Sequence, residues 1–264
     1  MKYYYSCLIV FLLLLGCQVP HKSANQQADP NFHLYLLVGQ SNMAGRGAPE
    51  TIDTTAVPGL LVFAKDKTWQ PAKEPLHWDK PAAGTGPGFS FGREMLNNAG
   101  NKIRIGLIPA AHGGSSITAW VKGGYHDQTK GYPYDEAIDR AKAAMQAGVL
   151  KGIIWHQGES DSNPEARALH LNRLKDLINR FRTELGAPNV PFVAGELGYF
   201  KDAYKSMNQV LMQLPAEVPF TAVIRADGLV DKGDATHFDA ASARELGKRY
   251  AQAMQNLQKN TTAR

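Results

Sequence analysis

Only two cysteines occur in 264 residues, Cys7 and Cys17, and both lie at the extreme amino terminus. The rest of the chain therefore has no disulfide framework and no thiolate metal site. The one sustained apolar run, Leu8 to Leu15, is too short to cross a bilayer. There is no G-x-S-x-G nucleophile elbow, which argues against the usual α/β-hydrolase arrangement. No stripe of Lys and Arg interleaved with aromatics appears, and the formal charge is only +5, so nothing marks a nucleic-acid surface. Internal repeats and low-complexity blocks are missing as well. These absences leave one domain, long enough to bury a good α/β core and rather short for two.

The leader is informative. Lys2 gives a short positive start, the apolar run follows, and Leu14-Leu15-Gly16-Cys17 closes it. That ending resembles the bacterial lipobox, in which the cysteine becomes the lipidated first residue of the mature protein. Residues 1–16 are expected to be a lipoprotein signal peptide with Cys17 the lipidation site, and residues 17–31 a polar tether. Residues 32–260 should form the folded domain. The expected location is the bacterial cell envelope, with the membrane met through the lipid anchor alone.

After the leader, short apolar runs alternate with helical patterns. Leu34–Val38, Ile103–Ile108, Gly152–Trp155, Val190–Ala194 and Phe220–Ile224 read as buried strands bounded by Gly, Pro or polar residues. Leu171, Leu174, Ile178, Phe181 and Leu185 recur at helical spacing after Asn163-Pro164, a cap followed by a first-turn proline. A last helix starts near Asp239 and carries Leu246, Tyr250, Ala253 and Leu257. Alternation of this kind predicts a mostly parallel sheet covered by helices on both faces, with reactive groups at the carboxyl ends of the strands.

Ser41, Gly113-Gly114 and Gln157 each follow a predicted strand and should share that edge. A serine hydroxyl becomes a useful nucleophile when an imidazole takes its proton and a carboxylate orients the imidazole. Asp234-Ala235-Thr236-His237 offers both, with Asp234 three residues before His237; Asp239 suits the helix start better. The alternative role for Ser41 is to N-cap the helix that follows it. The backbone N–H groups of Ser41 and of the glycine pair, with the Gln157 amide, are candidate donors to a developing oxyanion. Glu159 and Asp161 read as braces of their loop. With His156 they lack the second histidine of a metal site, so neither metal nor cofactor is expected. Trp120 and Trp155 suit either a sugar platform or the core.

With these residues in view, the chain resembles the SGNH-type hydrolases, especially the branch of carbohydrate esterase family 6 acetylxylan esterases and the related sialate O-acetylesterases. The likeness runs from Leu34 to about Ala251. It rests on Gly39-Gln40-Ser41-Asn42-Met43-Ala44-Gly45-Arg46-Gly47, Gly86-Pro87-Gly88, Gly113-Gly114-Ser115-Ser116-Ile117 with Trp120, Trp155-His156-Gln157-Gly158-Glu159-Ser160-Asp161, and Asp234-Ala235-Thr236-His237-Phe238-Asp239. It implies a three-layer α/β/α sandwich of flavodoxin-like kind. Its site would use Ser41 as nucleophile, His237 as base, Asp234 as partner, and Ser41, Gly114 and Gln157 as the oxyanion hole. Gln157 stands where the wider pattern has asparagine. The implied activity is removal of O-acetyl groups from a polysaccharide or oligosaccharide, xylan first. A sialate O-acetylesterase and a non-catalytic carbohydrate-binding lipoprotein are the alternatives.

Overall fold

The structure is a computed structural model that describes Met1 and residues 27–262. Apart from Met1, the expected signal peptide, Cys17 and most of the expected tether lie outside the described residues. Among the described residues seven strands form one sheet: β1 (Asp29–Gly39), β2 (Leu60–Phe63), β3 (Trp69–Pro71), β4 (Arg104–Pro109), β5 (Gly148–His156), β6 (Phe192–Gly195) and β7 (Thr221–Ile224). Their order is β3-β2-β4-β1-β5-β6-β7, parallel except for the edge pair β2–β3. The expected mostly parallel sheet is therefore present.

The principal helices are α1 (Ser41–Ala44), α2 (Thr51–Thr54), α3 (Pro87–Asn97), α4 (Pro133–Ala144), α5 (Pro164–Glu184), α6 (Asp202–Leu211), α7 (Leu214–Glu217) and α8 (Ala240–Thr262). Central β1 shows why three layers form. Leu34, Leu36 and Val38 point into one core with residues of α4, α5 and α6. Tyr35 and Leu37, one step out of phase, point into the other with α3 and α8. A strand apolar on both faces has to be covered on both. The cap positions follow the chemistry read from the sequence. Asn163 accepts from the Ala166 N–H at 2.9 Å, and Asp239 accepts from the Ser242 N–H at 2.7 Å.

Two details differ from expectation and one alternative left open is resolved. β1 begins at Asp29, inside the stretch assigned to the tether, because Asp29 pairs with Gly148 and bonds Arg104 at 3.0 Å. β2 and β3 were not anticipated; they have four and three residues, too few for a period to register. Trp120 and Trp155 are fully buried and pack edge to face at 5.0 Å, so they belong to the core and not to a sugar platform.

Candidate active site

The carboxyl ends of β1, β4 and β5 converge where the sequence placed them. Gly39 ends β1 at φ +132°, and a Cβ there would lie 2.1 Å from the His156 carbonyl oxygen. Only glycine lets the tips of β1 and β5 approach so closely. The chain then turns at once into α1, which leaves Ser41 at its first position. The Gln40 N–H bonds the His156 carbonyl at 2.9 Å and anchors the turn.

The opposite wall comes from the loop before α8. Asp234 and His237 sit on a tight turn in which Ala235 takes φ +52°. One Asp234 oxygen accepts from the Thr236 and His237 N–H groups at 3.0 and 2.8 Å, and the other lies 2.8 Å from His237 Nδ1. His237 Nε2 is 2.9 Å from Ser41 Oγ. Carboxylate, imidazole and hydroxyl thus form one continuous hydrogen-bonded chain. Burial works to raise the Asp234 pKa, but the His237 ring and the Lys232 ammonium at 3.2 Å, with the backbone donors, hold it well below the usual carboxylate range. The carboxylate therefore stays ionised far into acid, and the stability it lends is lost progressively as pH falls from the ordinary carboxylate value through that depressed one.

A buried amide joins the two walls. Asn42, next to Ser41, donates to the Thr236 carbonyl at 3.0 Å and accepts from the Phe238 N–H at 3.1 Å. It therefore grips the backbone on both sides of His237, while its amide nitrogen also donates to Glu159 at 2.5 Å.

Behind Glu159, Tyr250 donates to the Trp155 carbonyl at 2.7 Å, so its oxygen accepts from His156 Nδ1 at 3.0 Å. His156 Nε2 is left as a bare lone pair 3.9 Å from Glu159, and neither it nor Glu159 Oε2 has a partner among the described residues. Burial pushes Glu159 up to about 7 and pulls His156 down to about 3. A neutral Glu159 facing a neutral imidazole is the stable arrangement. Because the folded value is raised, the folded chain holds the proton that the unfolded chain has released, and stability falls between the ordinary carboxylate value and about pH 7. Glu159→Gln is expected to remove about 2–3 kcal/mol of that decline, read from urea midpoints at pH 5 and pH 8 against the parent. Glu74, pushed up to about 8 by burial, contributes in the same direction in both proteins and cancels.

Gly114 takes φ +85°, and its carbonyl accepts from Ser160 Oγ at 3.0 Å. The preceding Gly113 N–H donates to Asp79 at 2.9 Å, and Asp79 pairs with buried Arg46 at 2.6 Å. The N–H groups of Ser41 and Gly114 have no acceptor among the described residues. Ser41, Gly114, Asp234 and His237 line one cleft of about 480 Å³ with Arg46, Lys80 and Lys232 at its sides.

Gln157 does not join them, which corrects the sequence expectation. It is fully buried, and its amide nitrogen donates to the Ser115 carbonyl at 3.1 Å and to the Asp161 carboxylate. Both partners are acceptors, so the amide cannot be turned to release a donor. Asp161 also receives Ser116 Oγ at 2.6 Å and the Ile117 N–H at 2.8 Å. Gln157 and Asp161 therefore brace the glycine loop from below. Sequence reading also missed Asn42 and the Arg46–Asp79 pair. Asn42 and Arg46 stood in view beside Ser41, whereas Asp79 sits in an aperiodic loop with nothing around it to mark it.

A hydroxyl, an imidazole and a carboxylate in series at the carboxyl edge of a helix-covered, mostly parallel sheet are groups suited to ester hydrolysis. The comparisons agree and name the substrate class. The chain belongs to the carbohydrate esterase, sialic acid-specific acetylesterase family, whose sequence model matches residues 31–256. It is 28% identical over 255 residues to a probable carbohydrate esterase of Arabidopsis thaliana, covering 86% of this chain and 92% of that one. The X-ray structure of that plant protein superimposes with a TM-score of 0.77 at 26% identity, covering 86% of this chain and 99% of the other. NanS shares the fold, with a TM-score of 0.72 at 15% identity over 89% of this chain and 99% of its own. So does a carbohydrate acetylesterase from Xanthomonas citri, with a TM-score of 0.67 at 20% identity over 86% of this chain and 57% of its own.

Proposed function

We propose that the chain is a serine esterase that removes O-acetyl groups from polysaccharide through an acetyl-enzyme, xylan being the leading substrate. The observation that carries this is the unbroken series from Asp234 through His237 to Ser41, with contacts of 2.8 and 2.9 Å. Ser41 Oγ attacks the acetyl carbonyl as His237 Nε2 takes its proton, and Asp234 stabilises the imidazolium that forms. The Ser41 and Gly114 N–H groups receive the oxyanion. His237 then protonates the departing sugar hydroxyl, and a water activated by the same ring releases acetate.

The continuation Ala44-Gly45-Arg46-Gly47 supports the xylan branch, and its Arg46 lines the cleft. The second reading, a sialate O-acetylesterase, is favoured by the family description. Lipid anchoring at Cys17 would hold the enzyme at the cell envelope. The deciding experiment measures acetate release from acetylated xylan, acetylated glucomannan and O-acetyl sialic acid, with Ser41→Ala beside the parent. Fastest release from xylan, lost in the variant, is expected. Full turnover by Ser41→Ala would sink the mechanism, and preference for the sialic acid would select the second reading.

A further inference from the structure

A second hollow of about 240 Å³ lies beside the cleft, at the carboxyl ends of β2 and β4. Consecutive residues divide the two spaces. Asp79, His112 and Thr129 face the hollow, and Lys80, Gly113 and Gln128 face the cleft. Any chain of sugars held by one unit at Ser41 has this neighbour on the same sheet edge, where parallel α/β folds bind their ligands.

The hollow is rich in donors and positive charge. Arg140 reaches it from α4, donating to the Pro109 carbonyl at 2.8 Å and the Ala64 carbonyl at 3.1 Å, and also to Phe63. Its guanidinium is buried and forms no direct ion pair among the described residues; carbonyls hold it, while the Asp139, Glu136 and Asp66 carboxylates act on it from beyond contact distance. Buried His77 accepts the Ala111 N–H on Nδ1 at 3.4 Å, which puts the ring hydrogen on Nε2. That Nε2–H has no acceptor among the described residues. Lys65 stands at the rim, exposed and without an acidic partner among the described residues.

The two acids of the lining are already engaged. Asp79 holds Arg46 and Gly113, and Glu136 lies 3.3 Å from His112 and accepts from the Tyr132 N–H at 2.8 Å. Trp78 completes the wall, 38% exposed, with the Arg140 guanidinium 4.5 Å from its ring centroid on one face. An unanswered N–H, a guanidinium without a direct ion pair and a half-open indole ask for a flat ring bearing an anion. The volume falls below the range of about 300–1,000 Å³ that takes drug-sized ligands, so it suits a single ring.

We propose that this hollow is a subsite for a carboxylate-bearing sugar adjoining the acetylated unit, the carboxylate meeting His77, Arg140 and Lys65 and the ring lying against Trp78. The assignment rests on the esterase reading above for what occupies the neighbouring cleft. A uronic acid of a plant polysaccharide and a sialic acid both present this chemistry.

The test titrates the whole protein with glucuronate, N-acetylneuraminate and neutral xylose, by calorimetry and by the ring-nitrogen signals of the labelled histidines. At least one acid sugar should bind saturably, tenfold or more tighter than xylose, and move the His77 Nε2–H signal. Lys65→Ala and Trp78→Ala, both at exposed positions, should each weaken that binding several-fold, and the tighter acid identifies the source. Equal affinity for xylose, an unmoved His77 signal, or unchanged binding in both variants would overturn the subsite. So would the absence of any binding. Because binding is read without turnover, a chain that releases acetate but takes no acid sugar refutes only the subsite. A chain that takes the acid sugar but releases no acetate refutes only the esterase.

Discussion

Ser41→Ala and His237→Ala are each expected to lower kcat on 4-nitrophenyl acetate by about 10⁴- to 10⁶-fold, and the double variant by no more than either alone. The reason is the single proton path. His237 Nε2 lies 2.9 Å from Ser41 Oγ, so the imidazole has nothing to activate without the hydroxyl, and the hydroxyl has no base without the imidazole. Residues that act as one unit do not contribute separately. What survives in all three variants should be the part supplied by binding and by the Ser41 and Gly114 N–H groups, on the order of 10³-fold over water. Steady-state kinetics on the three proteins, with circular dichroism to confirm folding, decide the matter. Multiplying losses would mean that the two groups act in separate steps.

Asp234→Asn carries the second large effect, a fall in kcat of about 10⁴-fold with little change in fold. The substituted side chain keeps one oxygen, enough to accept from the Thr236 and His237 N–H groups and preserve the turn. What changes is the group facing Nδ1. The carboxylate oxygen 2.8 Å away accepts a hydrogen there and leaves Nε2 bare towards Ser41. An amide nitrogen in that place donates instead, which puts the ring hydrogen on Nε2 and removes the base. Ring-nitrogen resonances of His237 should report the exchanged tautomer, and kcat should fall while KM changes little. Near-parent activity would mean that Asp234 only shapes the loop.

Much of this architecture was legible because period and punctuation agreed. Five strands announced themselves as aliphatic runs between Gly, Pro and polar residues, and Asn163 and Asp239 marked helix starts in fact made by their side chains. Ser41 and His237 stood out because each sits at the edge of a readable element, whereas their approach to 2.9 Å is visible only in three dimensions. Less could be read where function depends on which way a side chain turns. Gln157 stands in the right segment, yet the buried Asp161 carboxylate attracts its amide nitrogen inward, and nothing in residue order reveals that preference. Asp79 and His77 lie between β3 and α3 in a stretch without period, so their contacts to Arg46, Gly113 and Ala111 exist only in three dimensions.

The Asn42 amide has one more consequence. A single side chain fastens the segment ahead of α8 to the serine turn, so proton donor and acceptor travel together under thermal motion. Should that fastening open, the hydroxyl and the ring separate while both hydrophobic layers stay intact. Catalytic silence would then precede melting, and the temperature at which turnover fades would lie below the one at which the sheet comes apart.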